Sequence, residues 1–204
     1  MTDSQLKTEL TRAIGAAGWT PGPNKIFMMF TSSGQGSCTG ATSKSCAYTQ
    51  YCAYHSSYTA SIPTPAGAVS GPVIYANMPY GNPAACQAGG QSTPNAMVGG
   101  LNYGPYADLV ANVATHEIIE AITDPYGNGW YDKSGNEIGD KCAWNFGTNT
   151  YTSPSANQYY TANPYPSSVF VSGVTASYFE FQLEYSNAAN AAGKSGCVPY
   201  YFNF

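Results

Sequence analysis

The chain has 204 residues, 43% of them hydrophobic and only 9% charged, against roughly 25% charged in an average soluble domain. That length supports one domain with its own core. The apolar content excludes global disorder, and no apolar run approaches the ~18 residues of a membrane-spanning helix. The formal net charge is −4 and no Lys or Arg lies between Cys46 and Asp132, so the chain cannot build the broad basic face that a nucleic acid requires.

In chain order, residues 3–17 read as an amphipathic helix. Asp3 and Ser4 are candidate N-caps, Leu6, Leu10, Ile14 and Ala17 form the apolar stripe, and Gly18 is the stop. Pro21-Gly22-Pro23-Asn24 reads as a turn. Lys25–Thr31 reads as a short apolar strand central in a sheet. Ala47–Ala60 is Tyr-rich and extended, and Pro72–Met78 is a second buried strand. Residues 32–44 and 79–100 are loops rich in small and polar residues. Pro105 opens the strongest helix. Leu109, Val110, Val113, Ile118, Ile119 and Ile122 keep much of its surface apolar, which predicts a buried helix. Thr123-Asp124-Pro125 ends it, because a residue before proline is pushed out of the α region. Residues 126–166 are mostly irregular, with turns at 126–129 and 133–136. Val169–Val171 is a strand candidate. Ala176–Ala189 reads as a final helix with Phe179, Leu183 and Asn187 on one stripe.

The six cysteines are Cys38, Cys46, Cys52, Cys86, Cys142 and Cys197. None forms a C-x-x-C pair, so zinc-ribbon spacing is missing. An even number scattered through a loop-rich chain predicts three disulfides and a secreted protein, with the pairing left open by the residues themselves. The 22 Gly, 14 Pro and 18 Tyr give a polar but uncharged surface of the same character. Lys7, Glu9 and Arg12 interrupt the first 20 residues, so these do not read as a signal peptide. The expectation is a leader already removed, or a chain that begins within a longer precursor.

The carboxylates point to a site. None lies between Glu9 and Asp108, and then Glu117, Glu120, Asp124, Asp132, Glu137 and Asp140 fall within 24 residues. Crowded like charges gain from a cation. His116, one of two histidines, heads this cluster in the string His116-Glu117-Ile118-Ile119-Glu120. On a helix, positions i and i+4 share a face, so His116 and Glu120 can reach one metal ion. Glu117 stands about 100° further round, where H-E-x-x-H peptidases keep their general base. Here the second imidazole is replaced by a carboxylate. A helix whose His and Glu are satisfied by hydrogen bonds is the bland alternative.

A third ligand has to come from downstream. Asp124 lies about 12 Å along an ideal helix from His116, too far to share its ion. Asp140 is preferred, with Glu137 second, both in Glu137-Ile138-Gly139-Asp140-Lys141-Cys142. This donor set predicts one Zn²⁺, while a Ca²⁺ site built from the carboxylates alone is the alternative ion. His55 is read as structural, as a distant ligand, or as a donor to a developing oxyanion. Serine-nucleophile, phosphate-loop and dinucleotide motifs are absent.

Several strings in order resemble the microbial branch of the EXORDIUM/phosphate-induced protein 1 family. They are Tyr51-Cys52-Ala53-Tyr54-His55, Ala114-Thr115-His116-Glu117, Thr123-Asp124-Pro125, Gly129-Trp130-Tyr131-Asp132, Glu137 through Cys142, and Tyr178-Phe179-Glu180-Phe181-Gln182 with Cys197. The resemblance spans about residues 3–198 and implies an extracellular or cell-wall protein. It also implies pairing of Cys52 with Cys86 and Cys142 with Cys197, leaving Cys38 with Cys46. Family members usually carry a segment before the first helix. Plant members lack the His-Glu pair found here at His116-Glu117, and are described as growth-related wall proteins.

Together these readings predict one α+β, zincin-like domain over 1–204: a short mixed β-sheet packed against a buried active-site helix, with disulfide-braced loops. The expected activity is that of a secreted, monomeric metallopeptidase acting on peptide or protein substrates, with no nucleic-acid or membrane partner. His116, Glu120 and Asp140 or Glu137 are the expected ligands and Glu117 the expected base. His55, Tyr126 or Tyr131 is the expected oxyanion donor. The alternative is a wall-binding or signalling module with a structural metal ion, whose aromatic residues stack on sugar rings.

Overall fold

The computed structural model describes residues 1–42, 44–80, 85–86, 106–145, 150–152, 158–160, 182–194 and 196–198. The chain forms an α+β structure of two compact units. The first comprises Met1–Cys86 with Glu117–Trp130, the second Gln87–His116 with Tyr131–Phe204.

In the first unit, helix α1 spans Asp3–Ala17. Its N-cap is Thr2 rather than Asp3 or Ser4. Thr2 Oγ1 accepts from the Gln5 backbone N–H, and the Gln5 side chain accepts from the Thr2 N–H, a complete capping box. Asp3 is thereby released for the sheet. Its Oδ1 accepts from Tyr54 Oη at 2.8 Å and from the buried Tyr75 hydroxyl, while Lys7 Nζ lies 2.8 Å from Oδ2. Burial alone would raise the Asp3 carboxyl, but the hydrogen bonds from Lys7, Tyr75 and Tyr54 outweigh it and hold it below the ordinary range. Gly18 ends the helix at φ +67°, as expected.

Strands β1 (Ile26–Phe30), β2 (Tyr54–Thr64) and β3 (Gly67–Met78) form a three-stranded sheet in the order β1-β3-β2. β1 runs parallel to β3 and β2 antiparallel to it, so the sheet is mixed. β3 is central, and Val73 to Met78 are all buried. Among the described residues β1 is at an edge, not in the middle: its residues are half-buried and Phe30 is exposed. Pro72, which has no N–H to donate, sits in the stretch of β3 that pairs with β2 alone.

Leu6, Leu10 and Ile14 of α1 pack on Tyr75, Val73 and Ile62, with Phe27, Tyr54 and Tyr58 closing the layer. The close approach requires Gly15, where a Cβ would lie 2.6 Å from the Pro63 carbonyl. Tyr54 and Tyr58 therefore face α1. By the two-residue period of a strand, His55 and its register partner Ala76 face the other way.

In the second unit, β4 (Thr150–Thr152) pairs with β5 (Gln158–Tyr160), and β6 (Glu184–Tyr185) with β7 (Cys197–Val198). Helix α2 spans Tyr106–Thr123 and supplies residues up to His116 to this unit and those from Glu117 to the first. The predicted final helix is corrected in its described part. Glu184–Tyr185 is strand, and only Asn187–Ala191 (α3) is helical, capped by Ser186. The cause is long-range: Cys142 and Leu183 form a small core with Tyr185 and Cys197, which draws 184–185 into pairing with 197–198. The expected strand at 169–171 and residues 176–181 of the expected helix lie outside the described residues.

Three disulfides join Cys38–Cys46, Cys52–Cys86 and Cys142–Cys197, and no free cysteine is left. No helix among the described residues is long and apolar enough to cross a membrane.

Candidate metal centre

The buried side of α2 is not the apolar stripe its composition predicts. Ile119 is buried, but Ile122 is 60% exposed. Asn112, Glu117, Glu120 and the following Asp124 are each no more than 3% exposed. Burying such groups is costly unless each is paired, so this polar stripe is sustained by specific partners. Within the helix itself, ligand atoms of His116, Glu117 and Glu120 lie within 4.8 Å of one another.

In the first unit, Glu117 and Glu120 meet His55 of β2. Its Nδ1 is 3.4 Å from Glu117 Oε2 and 3.8 Å from Glu120 Oε2. Its Nε2 is 2.9 Å from the Asp124 carbonyl. A carbonyl only accepts, so Nε2 carries a proton and Nδ1 is the edge turned to the carboxylates.

The helix stop positions that carbonyl. Asp124 Oδ1 accepts from the N–H groups of Asn128 at 2.7 Å and Gly129 at 2.6 Å. A Cβ on Gly129 would stand 2.3 Å from the Thr123 carbonyl, so only glycine permits this turn. Asp124 thus braces the turn, and Tyr126 beyond it is 45% exposed.

In the second unit, His116 Nε2 lies 3.7 Å from Asp140 Oδ1. Asp140 opens a 3-10 turn, Asp140–Cys142, whose last residue is the buried half of the Cys142–Cys197 disulfide. The preceding loop is fixed by Asp132. Its Oδ1 accepts from the Ser134 and Asn136 N–H groups, and its Oδ2 from Lys141 Nζ at 2.9 Å. Lys141, joined by those N–H groups, holds the Asp132 carboxyl well below the usual carboxylate range. Glu137 is half-buried one turn before Asp140, and its N–H donates to Asp140 Oδ2 at 3.3 Å. Tyr131 is 42% exposed.

The sequence reading missed Gln182. It is 5% exposed, and its Nε2 lies 3.0 Å from His116 Nδ1 and 2.9 Å from the Gly139 carbonyl. Asn112 Oδ1 accepts from its backbone N–H at 2.8 Å. The sequence carries no local signal for Gln182; the four-residue spacing of Asn112, His116 and Glu120 marks only the helix side of the contact.

The donors suit a divalent cation. With bonds of about 2.0–2.1 Å, ligand atoms around a tetrahedral ion stand about 3.3 Å apart, close to the 3.7 Å between His116 Nε2 and Asp140 Oδ1. An imidazole favours a transition metal over Ca²⁺. No protein-family model, curated protein or solved structure matches the chain.

Proposed function

We propose that this chain is a secreted, monomeric metal-dependent endopeptidase of zincin-like design, akin to the microbial EXORDIUM/phosphate-induced proteins, with zinc as its ion. The observation that carries this reading is the double placement of His116. It shares an α2 face with Glu120 and approaches Asp140, which a disulfide-anchored turn presents. Three disulfides support an oxidising compartment.

His116, Glu120 and Asp140 would hold the ion. Bound there, it supplies a water acidified toward neutral pH and polarises the scissile carbonyl. Glu117 accepts the proton of the attacking water and returns it to the leaving amine. His55, against Glu117 and fixed by the Asp124 carbonyl, keeps that carboxylate oriented. Exposed Tyr131 offers a phenolic O–H to the developing oxyanion.

The test is digestion of a peptide library by the native chain and by Glu117→Gln, with metal measured in parallel. A general base contributes typically 10²–10⁴-fold, so cleavage falls by that order while fold and metal are retained. Equal cleavage by both would remove Glu117 from the role.

Exposed Trp19 favours a second reading, a wall-binding module with a structural ion. Trp19 is 56% exposed and stacks on Phe27, with centroids 6.1 Å apart. It lines a shallow depression with Thr20 and Lys25, and its exposed indole offers an apolar face on which a sugar ring could stack. In that reading Glu117→Gln is silent, and Trp19→Ala abolishes retention on wall polysaccharide.

A further inference from the structure

We infer that Gln182 holds His116 in the Nε2–H tautomer when no metal is bound, and so opposes metal loading until its amide turns. This rests on the metal reading above only for its consequence; the hold on the ring stands on the hydrogen bonds alone.

The orientation of the Gln182 amide is set by two neighbours with fixed roles. The Gly139 carbonyl, which only accepts, lies 2.9 Å from Nε2. The Trp144 backbone N–H, which only donates, lies 3.4 Å from Oε1. Turning the amide by 180° would set two carbonyl oxygens face to face at Gly139 and two donors face to face at Trp144. The NH₂ group therefore points at Gly139, and its second hydrogen at His116 Nδ1, 3.0 Å away. Glu184 Oε1, at 3.5 Å from Nε2, is a further acceptor on the same side and reinforces that choice.

An Nδ1 that accepts a hydrogen bond carries no proton. In the neutral ring the proton is then on Nε2, the nitrogen facing Asp140 Oδ1. A metal ion at Nε2 needs the lone pair there, which moves the proton to Nδ1 and drives it against the Gln182 NH₂. Metal-ligating histidines ordinarily donate their second N–H to an acceptor, and loss of such an acceptor typically costs 10–100-fold in affinity. Here the neighbour is a donor. Loading requires the amide to turn and give up its bonds to Gly139 and Trp144. Gln182 is thus a positioning residue that makes the ion exchangeable.

The first experiment is ¹⁵N NMR of the imidazoles in native protein stripped of metal by a chelator, at a pH where the ring is neutral. His116 is expected as Nε2–H; Nδ1–H would overturn the inference. The second is Zn²⁺ affinity by competition with a chelating dye, for native protein and Gln182→Met, which keeps size and removes the donor. Two net hydrogen bonds no longer broken on loading amount to tighter binding by about thirtyfold. A conventional supporting role for Gln182 gives the opposite sign, and weaker or unchanged binding by Gln182→Met would overturn the inference. Should Gln182→Met not fold, the tautomer in the native chain still decides. Should the native chain bind no Zn²⁺, the peptidase reading falls while the tautomer still tests the hold of Gln182.

Discussion

Helices α1 and α2 bury different things. The inner stripe of α1 is Leu6, Leu10 and Ile14, closed against the aromatic face of the sheet. α2 buries the polar residues Asn112, Glu117 and Glu120 beside Ile119, and Asp124 just beyond its end is buried as well. An apolar stripe stabilises the fold by leaving water and needs no further reason. A buried stripe of carboxylates weakens the fold unless something binds it, so in the metal-site reading proposed above α2 gives up stability for function. The contrast predicts opposite responses to mutation in the two helices.

The largest effect expected is from opening the Cys142–Cys197 bridge, which spans 55 residues. Loop-closure entropy for that length corresponds to about 4 kcal/mol. Cys142→Ser with Cys197→Ser should lower the denaturation midpoint accordingly and free the turn that carries Asp140. Unchanged metal affinity in this variant would show that the bridge does not position Asp140.

Next is Leu10→Ala in α1, which removes a side chain only 5% exposed. It should cost about 3 kcal/mol in urea denaturation, with metal affinity retained. The α2 counterpart is Glu120→Gln. In metal-free protein it should raise the melting temperature, because Glu117 and Glu120 both face His55 and crowd one another. In Zn²⁺ the order should reverse, the native chain gaining stability that the variant cannot. A lower melting temperature for metal-free Glu120→Gln would break the comparison.

The smallest effect expected is at Asp3, whose carboxyl is held below the ordinary range by Lys7, Tyr75 and Tyr54 against the opposing effect of burial. A depressed folded-state pKa contributes stability that is present above the unfolded value and lost as pH falls through the folded value. The native chain should therefore lose more stability than Asp3→Asn as pH drops below about 4, the ordinary Asp value. Parallel acid profiles would remove Asp3 from the acid response.

The α1 side of the contrast was legible in the sequence, and the α2 side only in part. A 3.6-residue apolar stripe ended by Gly18 describes α1 whatever surrounds it. The run Val73–Met78 reads as buried for the same local reason. β1 has an equally apolar composition, yet which strand takes the centre depends on pairing, which the run itself does not encode. The closing segment shows the limit most clearly. Phe179, Leu183 and Asn187 fit a helical stripe, but the tie from Cys142 to Cys197 makes Glu184–Tyr185 a strand. At the site, H-E-x-x-E spacing is enough to put His116 and Glu120 on one helix face. His55 meets Glu117 only through the strand register that turns it away from α1. Gln182 meets His116 only through folding across 66 residues. Neither relation has a local signature.

The measurement that tests the account most directly is metal stoichiometry. Native protein, stripped and then dialysed against Zn²⁺, is predicted to retain one equivalent. His116→Ala and Glu120→Ala should retain none, and Glu117→Gln should retain it in full. Folding of each variant would be checked by its disulfide map and circular dichroism. Folded His116→Ala or Glu120→Ala with full occupancy, or native protein with none, would contradict the reading of α2 as the wall of a metal site.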